Sequence, residues 1–306
     1  MKYFIFRGCE GFGDRLQCLS QAIQYCFTSG RILVIDWRDH HWTQGEYHSI
    51  YEYLTIKNTK TIDIKNFIDN HYHKKLSIFN EEWRGKLLEE NTMKYMYNEK
   101  MSLPEKNKIL QKIIKKKVED FAEDIVVYNG VFFRVWNTKF LNFITFSSKV
   151  YDVVDEVYKK TNIKKKKYIC VHIRATSKNW RESKNINKRL SNRMHEKFPD
   201  QSKYFEYIHN QIKNIKGDLP TLIVSDCVET ANEWVSTYGK GEVVSNINIE
   251  TKNKSGIHLV DLNDNEKISK HELNLLCLRD FCLMVNAKEI VSDGISLYSN
   301  MAKKLK

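Results

Sequence analysis

The stretch from Tyr3 to Asp36 constrains the fold more than any other part of the chain. It opens with an apolar burst, Phe4-Ile5-Phe6, and turns through Gly8, Gly11 and Gly13. A polar-apolar run follows from Asp14 to Phe27, then Arg31-Ile32-Leu33-Val34-Ile35-Asp36. Leu16, Leu19, Ile23 and Phe27 recur at spacings of three and four, the signature of a helix with one apolar stripe. Gly30 stands where a helix C-terminus needs a residue that tolerates a left-handed backbone. The stretch therefore reads as a β–turn–α–β unit, with parallel strands and a right-handed crossover.

The glycine turn itself has two readings. It is a tight turn that needs glycine for its backbone, or a loop whose amides approach a ligand phosphate at a helix N-terminus. Its spacing is not G-x-G-x-x-G, and no Gly-Lys-Ser/Thr follows. Arg15, just inside the helix, opposes the helix dipole unless it reaches an anion.

From about 50 to 150 the pattern is weaker. Helices are expected near 84–95 and 105–123, and short strands at Ile125 to Tyr128 and Val131 to Trp136. A second α/β pattern starts at the strand Tyr168 to Ile173. It continues with a helix near 202–215, a strand at Thr221 to Val224, a helix near 228–237 and a strand at Glu242 to Val244. Helix 271–285, strand Glu289 to Ser292 and helix 296–305 complete it. Strands alternating with helices in both halves predict two α/β domains with a cleft between them, 1–155 and 156–306.

Composition narrows the class. Hydrophobic residues make up 42% and charged residues 29%, which favours a packed core over disorder. No apolar run is long enough for a membrane span, and the first residues do not read as a signal peptide. The 7 cysteines are scattered without C-x-x-C spacing, which points to free thiols in a reducing compartment. The expectation is a soluble cytoplasmic protein. The net charge of +12 is concentrated in Lys112 with Lys115 to Lys117, and in Lys164 to Lys167. Solvated surface explains such runs; attraction to nucleic acid, an anionic membrane or a phosphorylated substrate is the functional alternative. Aromatic residues are not interleaved with them, so nucleic acid is not the expected partner. Peripheral membrane contact stays open.

Four strand ends carry chemistry. "VHIRATSK" closes a strand with His172 and Arg174 on one face and Lys178 beyond. Ligands of open α/β sheets bind past the carboxyl ends of strands, where an arginine can clamp a diphosphate; an ion pair at a strand end is the plainer reading. "IVSD" ends in Asp226, which could instead cap the next helix. "VSDGISLYSNMA" places Ser296 and helix-start amides where a phosphate or a cap would sit. With the glycine turn, these make a set suited to a nucleotide diphosphate held between domains.

At these residues the chain resembles the α1,6-fucosyltransferases, of the nodulation-type chitooligosaccharide and core types, within the fucosyltransferase superfamily of GT-B architecture. "GFGDRLQCLSQA", "GRILVIDWRDHHW", "VHIRATSK", "LIVSD" and "LRDFCLMVNAKEIVSDGISLYSNMAKKL" carry the resemblance, in order. Ser177, Cys227 and Leu297 depart from the family's acidic residue, second aspartate and glutamine, and Lys184 to Arg193 looks inserted.

The resemblance implies a GT-B fold of two Rossmann-like domains facing each other across a cleft, with the acceptor on the first and the donor on the second. It implies metal-independent transfer of fucose from GDP-fucose to a glycan hydroxyl with inversion, α1,6 in type. No metal site or cofactor is expected. His172 and Asp280 would face guanine, with Asp226 lining the pocket. Arg174 and Ser296 would hold the β-phosphate, helped by amides of Gly11 and Gly13. Glu182 would be the base and Lys178 the lysine between it and Arg174. Asp36, Trp37, Arg38 and His40 are candidates for contact with an oligosaccharide or glycoconjugate acceptor, or a packed loop. The rival readings are another GDP-sugar, an α1,2 or protein O-linked product, and a non-catalytic sugar- or nucleotide-binding module.

Overall fold

The computed structural model describes residues 1–8, 11–44, 46–71, 75–79, 83–85, 120–129, 139–174, 197–215, 217–245 and 268–306. They form two compact units, Met1–Ser147 and Ser148–Lys306. The division falls ahead of the 155 read from sequence, because the helix from Ser148 packs with the second unit.

In the first unit, β1 (Tyr3–Arg7) is fully buried and leads into α1 (Phe12–Ser29) and β2 (Ile32–Asp36). A one-turn helix, α2 (His40–Thr43), comes next. Beyond it lie β3 (Leu54–Ile56), β4 (Thr61–Asp63), α3 (Ile64–His71), β5 (Ile78–Phe79), β6 (Ile125–Asn129) and β7 (Ile144–Phe146). The main sheet has the order β4-β2-β1-β6-β5 and is parallel at every pairing. β3 and β7 pair antiparallel beside it.

The β–turn–α–β reading is correct in outline. Gly30 ends α1 at φ +73°, and its amide reaches the Cys26 carbonyl. Leu16, Leu19 and Ile23 are buried, but Phe27 is 53% exposed and rests on the rings of Phe140 and Phe143. The weak middle of the chain hid β3, β4, α3, β5 and β7, which are too short to leave a periodic signal. Residues 120–124 are non-helical, so the expected helix 105–123 does not cover 120–123; the rest of that expectation lies outside the described residues. Helix 84–95 and strand Val131 to Trp136 fall almost wholly outside the described residues.

One arginine explains why 120–124 holds still. Arg31, buried at the amino end of β2, donates to the Asp120 carboxylate and to the carbonyls of Tyr3, Phe121, Glu123 and Asp124. The Tyr25 hydroxyl donates to the same carboxylate. A cation whose donors all find oxygens meets its desolvation cost and pins the entry to β6.

The second unit starts with α4 (Ser148–Thr161), then β8 (Ile169–Ile173), α5 (Gln201–Lys213), β9 (Thr221–Ser225), α6 (Val228–Tyr238) and β10 (Glu242–Val243). It ends with α7 (Lys270–Asn286), β11 (Glu289–Val291) and α8 (Leu297–Leu305). Its sheet, β10-β9-β8-β11, is wholly parallel. One face packs Ile169, Val171, Ile173 and Val291 against Tyr204, Phe205, Ile208 and Trp234. A capping box, Ser269 with Glu272, starts α7. Among the described residues no helix is long and apolar enough to cross a membrane.

Candidate active site

The second unit gathers polar side chains at the carboxyl ends of β9, β8 and β11. Register places Ile173 beside Ser225 and Val171 beside Val291. Asp226, Arg174 and Asp293 therefore leave three neighbouring strands at one edge of the sheet. In an open parallel sheet this edge is where ligands bind.

Arg174 is half-buried. Its backbone amide donates to the Tyr204 hydroxyl, which fixes the strand exit, and its Nη1 lies 3.4 Å from Ser296 Oγ. Ser296 is the N-cap residue of α8, yet its side chain makes no capping hydrogen bond. The turn is held by Asp293 instead, whose Oδ1 accepts from the amides of Ile295 and Ser296. Gly294 follows at φ +74°, and Lys197 Nζ donates to the Asp293 carbonyl. The amides expected from sequence to face a phosphate are thus bound by the chain's own carboxylate. The site offers an anion the Arg174 guanidinium and the Ser296 hydroxyl.

His172 is 6% exposed, with its ring 5.4 Å from that of Tyr298. Burial pushes its pKa below the usual imidazole value; Asp293 and Asp226 oppose the shift and Arg174 adds to it. Its Nδ1 is buried without a hydrogen-bond partner among the described residues, as is Oδ2 of Asp293. Asp226 is not the N-cap residue of α6. Cys227 occupies that position, and its amide goes to the Ser225 hydroxyl. Asp280 is buried and engaged: Arg279 grips Oδ1 through two nitrogens and the Ser245 hydroxyl donates to Oδ2. Asp280 is thereby built into the wall. Glu182 and Lys178 lie outside the described residues.

In the first unit the glycine turn lies at the corresponding edge. Gly8 follows β1 directly, and a Cβ there would sit 2.6 Å from Trp37 Nε1. Gly11 is the N-cap of α1, and Gly13 lies inside the helix rather than in the turn. Arg15 does reach an anion: it grips Asp39 with both Nη atoms, at 2.8 and 2.7 Å, and donates to the Gly8 carbonyl. Asp36 is fully buried between Arg7 and Arg38. Burial alone would raise its carboxyl, but the charges of Arg38 and Arg7 outweigh it and bring the pKa down to about 2. Trp37 is buried as well. Asp36 and Trp37 are thus used within the fold, and Arg38 is committed to Asp36. His40 begins α2.

Asp293, Tyr204, Lys197 and Ser245 were not singled out from sequence. The Asp-Gly before Ile295-Ser296 is a turn signal that could have found Asp293.

The sequence matches no family model and no curated protein. Solved structures do match across the chain. Fucosyltransferase NodZ from Bradyrhizobium aligns at 15% identity over 99% of this chain and 93% of its own, with TM-score 0.63. POFUT1 in complex with GDP aligns at 13% identity over 99% and 95%, with TM-score 0.56. Arabidopsis thaliana FUT1, as a mutant with GDP, aligns at 12% over 99% and 68%, with TM-score 0.51. The chain has the fold of these fucosyltransferases. It is a GT-B fold of Rossmann-like α/β units, and the cluster at Arg174 lies at the strand ends where such units take nucleotides.

Proposed function

We propose that the protein is an inverting, metal-independent glycosyltransferase that moves fucose from GDP-fucose to a glycan hydroxyl, α1,6 in type. The observation that carries this reading is the meeting of Arg174 and Ser296 across β8 and α8 in a fold shared with enzymes solved with GDP and GDP-fucose. The α1,6 type is taken from the sequence resemblance, and NodZ alpha-1,6-fucosyltransferase is among the structures that share the fold.

The acceptor oxygen attacks C1 of the sugar from the face opposite the nucleotide. The C1–O bond breaks, and its electron pair goes to the β-phosphate oxygen. Charge therefore grows at the diphosphate, where the Arg174 guanidinium and Ser296 hydroxyl stabilise it. The acceptor hydroxyl proton passes to a carboxylate, which we assign to Glu182, with Lys178 beside it. His172 and Asp226 line the base pocket, with Asp280 fixing its wall. The first unit takes the oligosaccharide or glycoconjugate acceptor. A reducing cytoplasmic setting belongs to the same reading.

The direct test is thermal shift with GDP, UDP and ADP, followed by mass spectrometry of a chitooligosaccharide incubated with GDP-fucose. Stabilisation by GDP and a product heavier by one fucose are expected. Stabilisation by UDP or ADP alone defeats the donor assignment.

A further inference from the structure

The lysine run at Lys164 to Lys167 has no part in the donor site. All four residues are exposed, in the loop that joins α4 to β8. The loop does not stand alone. The Lys166 amide donates to the Asn286 carbonyl, and Lys166 Nζ donates to the Val285 carbonyl at the end of α7. The Lys288 amide donates to the Tyr168 carbonyl just ahead of β8. Lys306 Nζ in turn donates to the Lys288 carbonyl. The loop, the entry to β11 and the end of α8 are thereby drawn to one edge of the second unit. Lys159 and Lys160, in the last turn of α4, lead into the same loop.

Helix dipoles explain part of this. α4, α7 and α8 all end at this edge, and a cation near a helix C-terminus is favourable. Only Lys166 and Lys306 spend their ammonium groups that way. The side chains of Lys159, Lys160, Lys164, Lys165, Lys167 and Lys304 make no hydrogen bond or ion pair with the described residues. Among the described residues of these elements the acids are Asp155 and Glu156 on α4, and Glu289, already 3.5 Å from Lys306 Nζ. The lysines feel one another, since the Lys166 ammonium is depressed by burial and further by Lys306 and Lys165. Holding so many like charges at one edge is unfavourable in isolation and becomes favourable against an extended anion.

The chemistry selects among extended anions. The patch carries lysine and no arginine, and its charges stand on flexible stems. Nucleic acids are usually held with arginine forks and stacking aromatic rings. Hydrated point charges on long stems instead suit mobile headgroups in a fluid layer. Position agrees. Lys167 and Lys288 precede β8 and β11, whereas Arg174 and Ser296 follow them. Five residues of strand place the two edges about 17 Å apart. A surface lying on the lysine edge leaves the donor edge open.

We propose that the edge formed by Lys159, Lys160, Lys164 to Lys167, Lys288 and Lys304 is a docking surface for an anionic membrane, which holds the second unit with its strand carboxyl ends turned away from the lipid. The proposal is independent of which sugar nucleotide that far edge takes.

The test is co-sedimentation of the full chain with phosphatidylcholine vesicles, with and without phosphatidylglycerol. The variant Lys164→Glu, Lys165→Glu, Lys167→Glu, Lys304→Glu spares Lys166 and its helix cap. Wild type should pellet only with the anionic vesicles and should be released by high salt. The quadruple variant should lose roughly a hundredfold or more in partitioning, while keeping the wild-type melting temperature and GDP-induced thermal shift. Wild type that stays in the supernatant with anionic vesicles overturns the proposal. So does a quadruple variant that pellets like wild type, or displacement from the vesicles by an equal phosphate concentration of duplex oligonucleotide.

Discussion

Arg174 Nη1 meets Ser296 Oγ at 3.4 Å, although 122 positions of sequence separate the two residues. The parallel pairing of β8 with β11 brings them together, because Arg174 directly follows β8 and Ser296 closes the turn that leads from β11 into α8. Among the described residues neither side chain has a partner of opposite charge. Ser296 leaves the capping of its own helix to Asp293. A cation and a hydroxyl set side by side at a strand edge can receive two oxygens of one phosphate.

Asp293 is expected to act by holding that turn. In Asp293→Asn the remaining Oδ1 can still accept from Ile295 and Ser296, so donor KM should stay within a few-fold of wild type. In Asp293→Ala both amides lose their acceptor, and kcat/KM should fall by about 10- to 100-fold, equivalent to about 1–3 kcal/mol. Steady-state kinetics on both variants is the check. Equal losses in the two would assign Asp293 a charge effect instead.

Gly8 should not tolerate a side chain. The Cβ of alanine would stand 2.6 Å from Trp37 Nε1, and the indole is buried with no room to move freely. Gly8→Ala should cost about 1–3 kcal/mol of stability, as overpacking does. Chemical denaturation measures it, and an unchanged midpoint would show that Trp37 can shift.

The Arg15–Asp39 pair is buried and bidentate, so removing one partner leaves the other buried without its counter-charge. Asp39→Ala and Arg15→Ala should each cost about 3–5 kcal/mol, with the double variant much less than their sum. A double-mutant cycle by urea denaturation tests the coupling; additive losses would mean that the pair does not act as a unit.

His172 gives the fold a pH dependence of fixed sign. Its folded pKa is lowered, chiefly by burial, so the unfolded chain binds the proton more readily. Stability should therefore be unaffected by this group above about pH 6.5 and should fall as pH drops from there through the folded pKa. His172→Gln should flatten that decline. Melting curves from pH 7 down to pH 5 (both about) separate the cases, and parallel curves for the two proteins would remove His172 as the source.

The sequence disclosed the architecture where elements are long. α1, α5, α6 and α7 lie within a residue or two of their expected bounds, and glycine stops, Gly30 and Gly239, end α1 and α6. The strands that lead to Arg174, Asp226 and Asp293 were readable as apolar bursts between those helices. What escaped was set by tertiary context. β3 and β7 are three residues each and exist by pairing with one another. Phe27 fits the stripe of α1 but meets an aromatic cluster at the surface. At the site, Arg174 and Ser296 were legible as strand-end polar residues. The diversion of the Ile295 and Ser296 amides to Asp293 was not, because a side-chain hydrogen bond within a turn leaves no periodic trace. Asp280 could not be distinguished from a ligand contact until Arg279 and Ser245 were seen around it.

In the proposed reaction Arg174 binds a GDP-sugar diphosphate and stabilises its departure. The most direct measurement compares wild type with Arg174→Ala for GDP-fucose turnover, with GDP titration calorimetry on the same samples. Wild type should bind GDP and transfer fucose, and the variant should keep its melting temperature while turnover falls about 10²–10³-fold and GDP affinity weakens. Turnover and GDP affinity of Arg174→Ala equal to wild type would contradict it.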